Sequence, residues 1–313
     1  MGAPDSDREQ PSRRSELEDE ITHLNARLDS LRNELSELSP SNGPGSNPRG
    51  PALISSPTPS HALLLLSDTA LPLGSFAYSH GLESYLAHHP KSRKISNGAP
   101  TSSFPHFLHL SLSSTASLSI PHLLAAFHDP AALESHAQTY DASVPCAVMR
   151  RASLAQGRAL LAVWERSFRP ALPPSTNGDH GAPGAIKAVD AFATALKAAS
   201  GTSSTTEAYD QPQPHYPSVY GAVCRALQLT SDQAASVFLL SHVRSVLSAA
   251  VRASVLGPYA AQAVLASPEI ERALRTAVSR NVDVDVEEAS QGAPVMDLWA
   301  GRHEMLYSRI FNS

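Results

Sequence analysis

The chain has 313 residues, a formal net charge of −5 and two cysteines. That balance gives no global basic field for nucleic acid. Cys146 and Cys224 form no CxxC, no zinc spacing and no disulfide framework, as expected in a reducing compartment. The N-terminus lacks the apolar core of a signal peptide, and no run approaches the ~18 apolar residues of a membrane span. The expectation is a soluble, cytoplasmic protein with no membrane association.

Residues 1–14 are polar and charged, a composition expected to be disordered. Over 15–39, Leu17, Ile21, Leu24, Leu28, Leu31, Leu35 and Leu38 recur as a heptad seam. In a parallel dimer the flanking pairs would be Glu20–Asn25, Arg27–Arg32 and Glu34–Ser39, none of them a salt bridge. A self-associating coil and a lone amphipathic helix both remain open. Residues 40–60 are rich in Ser, Pro, Gly and Asn and read as a flexible linker.

From His61 to Ser313 the pattern predicts a single all-α helical bundle, with Ala and Leu dominant and period-2 alternation scarce. Start signals recur: Asp129-Pro130, the capping box Thr230-Ser-Asp-Gln233, and Ser267-Pro268. Three low-complexity insertions, near 90–103, 169–184 and 200–217, read as surface loops. A central helix is predicted from about Asp232 to Leu256, with Val237, Leu240, Val243, Leu247 and Ala250 on one face. Arg244, Ser248 and Arg252 step by four along another side, as a solvated stripe or as an anion-binding edge at an interface. Val282-Asp-Val-Asp-Val286 alternates strictly and reads as an extended connector.

The most unusual segment is Leu71-Pro-Leu-Gly-Ser-Phe-Ala-Tyr-Ser-His-Gly-Leu-Glu-Ser-Tyr-Leu86. It reads as an ordered loop running into a helix, with Ser75 or Ser79 as cap and Glu83 favoured by the helix dipole. Phe76 and Tyr78 suit core plugs. Tyr85 and His80 are left spare for a protein-binding face.

Enzyme signatures are weak. There is no P-loop and no GxGxxG. Ala77-Tyr-Ser-His-Gly81 approximates a GxSxG elbow around Ser79, and Asp297 and His303 follow in Ser–Asp–His order. The Val/Ile-rich runs of the parallel sheet that such an elbow needs are missing. The fourteen histidines are scattered without a ligand spacing; His303 reads as a hydrogen-bonded core-edge histidine.

Leu71 to Glu83 resembles the UreF pattern LP-hydrophobic-G-[GS]-[FY]-x-x-S-x-G-L-E. Ser218-Val-Tyr-Gly221, Ser248-Ala-Ala-Val-Arg252 and Leu256-Gly-Pro-Tyr-Ala-Ala-Gln262 resemble further UreF segments, the last with Val255 and Pro258 departing from the pattern. His303-Glu-Met-Leu-Tyr-Ser-Arg-Ile-Phe-Asn-Ser313 resembles the family's terminal tail. The resemblance implies a non-catalytic scaffold in nickel delivery to apo-urease, bridging the accessory protein UreD (UreH) to the GTPase UreG, with a homodimer in the complex. It implies no directly bound cofactor, nickel and GTP being handled by partners. It places Tyr85, Arg309, Ile310, Phe311 and Ser313 at the UreD contact. The motif loop is Leu71, Pro72, Gly74, Ser75, Phe76, Ser79, His80, Gly81 and Glu83. Arg244, Arg252, Gly257, Tyr259 and Gln262 fall on the dimer or UreG side. The alternatives are a coiled-coil adaptor with unrelated partners and a Ser79 hydrolase.

Overall fold

The computed structural model describes residues 61–89, 103–172, 182–201 and 211–312, with Glu20, His23, Ala26, Arg27 and Ser30 as further helical positions. The heptad seam, the linker and the interiors of the three insertions lie outside the described residues. Residues 58–313 form one unit and 1–57 another.

The larger unit is all-α, with no strand among the described residues. Its helices are α1 (His61–Ser67), α2 (Leu82–His88), α3 (Ser103–His128), α4 (Leu133–Ser143), α5 (Ala147–Val163) and α6 (Ala182–Gly201). They continue as α7 (Tyr216–Ala226), α8 (Ser231–Arg252), α9 (Pro258–Leu265), α10 (Pro268–Asn281) and α11 (Val295–Arg302). After Val163 the chain runs through a π-helical turn, Trp164–Phe168, and one more α turn, Arg169–Ala171.

α3 is the axis of the body and packs against α4, α7, α8 and α10. It is buried on nearly every side, with Phe104, Phe107, Leu108, Leu112, Ile120, Leu123 and Phe127 in the core. Three of its buried serines are paired: Ser111 Oγ lies 2.9 Å from His242 Nε2, Ser114 Oγ donates to Gln291 Oε1, and Ser119 Oγ lies 3.3 Å from Tyr140 Oη. α3 and α8 are long and apolar enough to cross a membrane, contrary to the reading from uninterrupted runs. In the protein 72% and 67% of those windows are buried, so their apolarity is that of core helices.

The Val219-Tyr220-Gly221 segment supplies the closest helix crossing. Val219 and Tyr220 are buried in the core, and a Cβ on Gly221 would lie 2.0 Å from the Leu123 carbonyl oxygen of α3.

The expected cap chemistry forms at two of its three sites. Gln233 N–H donates to Thr230 Oγ1 at 3.2 Å, and Thr230 N–H donates to Gln233 Oε1 at 3.0 Å. Ile270 N–H donates to Ser267 Oγ at 3.3 Å. Asp129 caps only through its backbone, ahead of a 3-10 turn.

α8 ends at Arg252 rather than near Leu256. Ser254 takes a left-handed conformation (φ 58°) and Val255 N–H turns back to the Ala250 carbonyl at 2.8 Å, with Val255 and Leu256 tucked into the core. Residues 282–286 make turns and irregular backbone rather than an extended connector.

The insertion edges are also more structured than their composition indicates. Residues 169–171 and 182–184 are helical. Gln211–His215 lead into α7 with His215 fully buried, and the Pro214 carbonyl sits where a Cβ on Gly157 would be, 1.7 Å away. His215 Nε2 is 2.7 Å from Asp141 Oδ1, and Arg150 binds both oxygens of that carboxylate. Burial raises the Asp141 pKa, but the hydrogen bonds from Arg150 and His215 outweigh it and hold the group below the usual range. Pairing rather than exposure therefore fixes the start of α7.

Gly221→Ala is expected to lower stability by about 2–3 kcal/mol, because both partners at that contact are helix backbone. Urea unfolding monitored by circular dichroism checks it; a change within about 0.5 kcal/mol would show that the helices separate freely.

Candidate functional site

The two ends of the larger unit meet at one carboxylate. Gly74 (φ 71°) opens a 3-10 turn, Ser75–Ala77, and Gly81 (φ 84°) caps α2. Gly81 is constrained twice. Its backbone lies in the left-handed region, and a Cβ would meet Ala300 N at 3.2 Å and Trp299 Cβ at 3.3 Å on α11. This close approach places Glu83, in the first turn of α2, beneath the C-terminal tail. His303 Nε2 donates to Glu83 Oε2 at 2.8 Å. Ile310 N–H donates to Oε1 at 2.7 Å and Phe311 N–H to Oε2 at 3.2 Å. The tail then continues along the loop, where Asn312 N–H donates to the Ala77 carbonyl at 2.8 Å.

Arg252 closes the other side. It donates to the Phe76 carbonyl, and its guanidinium lies 4.3 Å from the Phe311 ring centroid. Phe311 is accordingly only 5% exposed. Of the expected partner-contact positions in the tail, Ile310 (61%) is open to solvent and Arg309 is exposed; Ser313 lies outside the described residues.

Tyr85 is not spare. It is 6% exposed and packs among Phe107, Trp299 and His89, with ring centroids 5.0, 4.7 and 4.6 Å away. Phe76, read as a core plug, is 41% exposed. His80 is not spare either: its Nε2 lies 3.1 Å from Ser245 Oγ and its ring packs edge-on to His242. Burial lowers the His80 pKa to about 4 and pushes His242 well below 6.5. Ser75 Oγ donates to Gln156 Oε1 at 3.3 Å, and Leu71 packs on the core while Pro72 is exposed.

Ser79 is fully buried and its Oγ accepts the Glu83 N–H at 3.4 Å. It is part of the helix start, with no strand leading into it among the described residues. His303 belongs to Glu83, and Asp297 accepts from Gln291 Nε2. The three residues of the elbow reading are therefore committed elsewhere. No group of three or more His, Cys, Asp or Glu able to hold a metal ion occurs among the described residues.

Arg244, Arg252 and Gln262 come together in a groove of ≈520 Å³ between the end of α1, α8 and α9. Arg244 also donates to the Ser67 carbonyl. Gly257 is the backbone cap of α9, with Pro258 in its first turn; Tyr259, 91% exposed, does not line the groove. The signals that sequence reasoning missed are long-range. Nothing near Glu83 announces a partner 220 residues away.

A family model described as UreF matches residues 101–269. The chain is 34% identical over 261 residues to an uncharacterized urease accessory protein UreF-like from Schizosaccharomyces pombe, spanning 83% of this chain and 100% of the relative. It is 29% identical over 248 residues to urease accessory protein F of Oryza sativa subsp. indica, spanning 79% and 82%. Urease accessory protein 6 of Cryptococcus neoformans var. grubii is 27% identical over 312 residues, spanning 81% and 96%.

Two outcomes follow from the geometry. Glu83→Ala leaves a buried imidazole and two backbone N–H groups without their acceptor, and is expected to cost about 3 kcal/mol. Limited proteolysis with mass analysis should then show residues after Leu306 lost first; a tail as protected as in the unsubstituted chain would refute the role of Glu83. Separately, His80 and His122 are each lowered to about 4 by burial. The folded chain then binds fewer protons than the unfolded chain between about pH 4 and 6.5. Stability is complete above the unfolded value and falls as pH drops toward 4. The urea midpoint should decline steadily below about pH 6.5, and a flat midpoint down to about pH 5 would contradict the burial of these imidazoles as neutral groups.

Proposed function

The chain belongs to the UreF family, and from that premise we propose that it is a non-catalytic assembly factor in nickel delivery to apo-urease, bridging UreD (UreH) to the GTPase UreG. In this reading nickel and GTP are held by the partners, and the protein acts in the cytoplasm. The observation that carries it is the pinned tail. Glu83 fixes the backbone at Ile310 and Phe311, while Leu298, Met305, Tyr307 and Ile310 stay exposed along the same terminal segment. Large apolar side chains on an ordered segment suit a partner contact. The UreD contact is assigned to Arg309 and Ile310 at the surface, with Phe311 and Tyr85 acting from beneath it. The groove of Arg244, Arg252 and Gln262, with Gly257 and Tyr259 beside it, is assigned to the dimer or UreG side. Its guanidiniums are oriented by backbone carbonyls of α1 and the motif loop.

The test is a pull-down of purified UreD and GTP-loaded UreG by the full chain, by a version ending at Ser308, and by Ile310→Asp. The full chain should recover UreD, and both altered forms should lose it by about tenfold or more. Ile310→Asp keeps the backbone N–H groups that bind Glu83, so its loss isolates the surface contact. Deleting residues 1–60 should leave recovery unchanged. Recovery of neither partner by the full chain would overturn the reading, and loss only on deleting 1–60 would favour the coiled-coil adaptor.

A further inference from the structure

Two open grooves flank α10 along its contact with α3. One, of ≈330 Å³, lies between α3 and α10, with Leu112, Ser113 and Ala116 on one bank and Arg272, Thr276 and Arg280 on the other. The second, of ≈340 Å³, lies between the start of α3, α9 and the first turn of α10, with Phe104, Leu108, Ala263, Val264 and Ile270 on its walls. His109 lines both, and its Nε2 lies 3.3 Å from Glu269 Oε1. From Phe104 to Ala116 the axis helix rises about 18 Å, so the two grooves together match a docked helix of three to four turns.

The first groove is cationic. Arg272, Thr276 and Arg280 step by four along α10 and are all exposed. Arg275 is paired with Glu271 at 2.6 Å on the same helix. Arg272 and Arg280 have no ion pair or hydrogen bond among the described residues. They stand about 12 Å apart along the helix, beside the small apolar side chains of Ala116, Ala273 and Ala277. Guanidiniums without a countercharge, next to an apolar floor, complement a segment that is apolar on one side and acidic on its flank. A helix fits better than an extended strand, because it satisfies its own backbone where the groove offers few polar groups. A chain of phosphates fits worse. Glu269, Glu271, Asp283, Asp285, Glu287 and Glu288 lie on α10 or just beyond it, against Arg272, Arg275 and Arg280. That net acidic field repels a polyanion, whereas carboxylates at helical spacing meet the two guanidiniums singly.

We propose that the α3–α10 groove, with its apolar continuation toward α9, is a docking site for an amphipathic helix of a partner protein, its apolar side chains on the floor and its carboxylates against Arg272 and Arg280. The face shares no residue with the tail or with the Arg244–Gln262 groove, and docking there does not depend on the assembly role.

Fluorescence anisotropy on the full chain tests it. The probe is a fluorescein-labelled peptide of about 14 residues, built from Leu, Ala and Glu, with leucines three and four apart on one face and glutamates four apart beside them. Two comparators carry Gln or Lys in place of every Glu. The glutamate peptide should bind saturably and the glutamine peptide about tenfold more weakly, with the difference shrinking as salt rises. Combining Arg272→Glu with Arg280→Glu should reverse the preference, so that the lysine peptide binds better than the glutamate peptide. Arg275→Ala, outside the groove, should change nothing. Circular dichroism checks that each variant is folded. If the double variant does not fold, Arg272→Gln and Arg280→Gln singly should each weaken the glutamate peptide by about threefold, and the glutamate-to-glutamine ratio on the unsubstituted chain decides independently of all variants. No saturable binding, equal binding of the glutamine peptide, or glutamate binding unchanged in the folded variants would each overturn the proposal. Displacement of the peptide by a DNA oligomer of the same length would overturn it in favour of a nucleic-acid face.

Discussion

A carboxylate with 12% of its side chain exposed is costly to bury, and Glu83 is held there by three donors and a helix N-terminus. Removing any one donor leaves the others to carry the charge, so the residues that meet it depend on one another. α2 has seven residues and could not persist alone. It is stable because its first turn is locked to His303 and the tail, and because Tyr85 is packed among Phe107 and Trp299. The motif loop, α11 and the tail are thus one structural unit assembled from opposite ends of the larger domain.

That unit rests on segments that approach one another at backbone distance. Gly221 on α7 lies against Leu123, Gly81 against Ala300, and Gly157 against Pro214. Each approach needs a residue without a Cβ, and each positions something polar: the buried Tyr220 ring, the Glu83 carboxylate, and the His215–Asp141–Arg150 network. The tolerances at these crossings are those of backbone atoms, which cannot rotate away as side chains can.

The parts legible in the sequence were those encoded locally. Helical periodicity, the Thr230 capping box, the Ser267 cap and the ordered character of Leu71–Leu86 all depend on residues within a few positions of one another. The partners of Tyr85, His80 and Phe311 lie far away in the chain, so their burial carried no local signal. An aromatic next to polar residues has the same composition whether it is a free surface or the lid of a core. The end of α8 was misjudged because a serine, Ser254, takes the left-handed position that a glycine would have advertised. The 211–217 stretch looked like loop because its prolines and glutamines hide one buried histidine. At the candidate site, Glu83 was visible as a helix-start carboxylate, whereas its use as an acceptor for the tail was not.

The serines of α3 bear on which fold is adopted as well as on how stable it is. A helix buried on nearly every side has little amphipathic preference to say which face meets which neighbour. Ser111, Ser114 and Ser119 meet His242, Gln291 and Tyr140 in only one rotational setting. Turning the helix by a single residue, about 100°, would strand all three hydroxyls in hydrocarbon and leave their partners unmatched. The serines therefore work as indexing pins, selecting one register of the axis helix from alternatives that apolar packing alone would leave nearly degenerate.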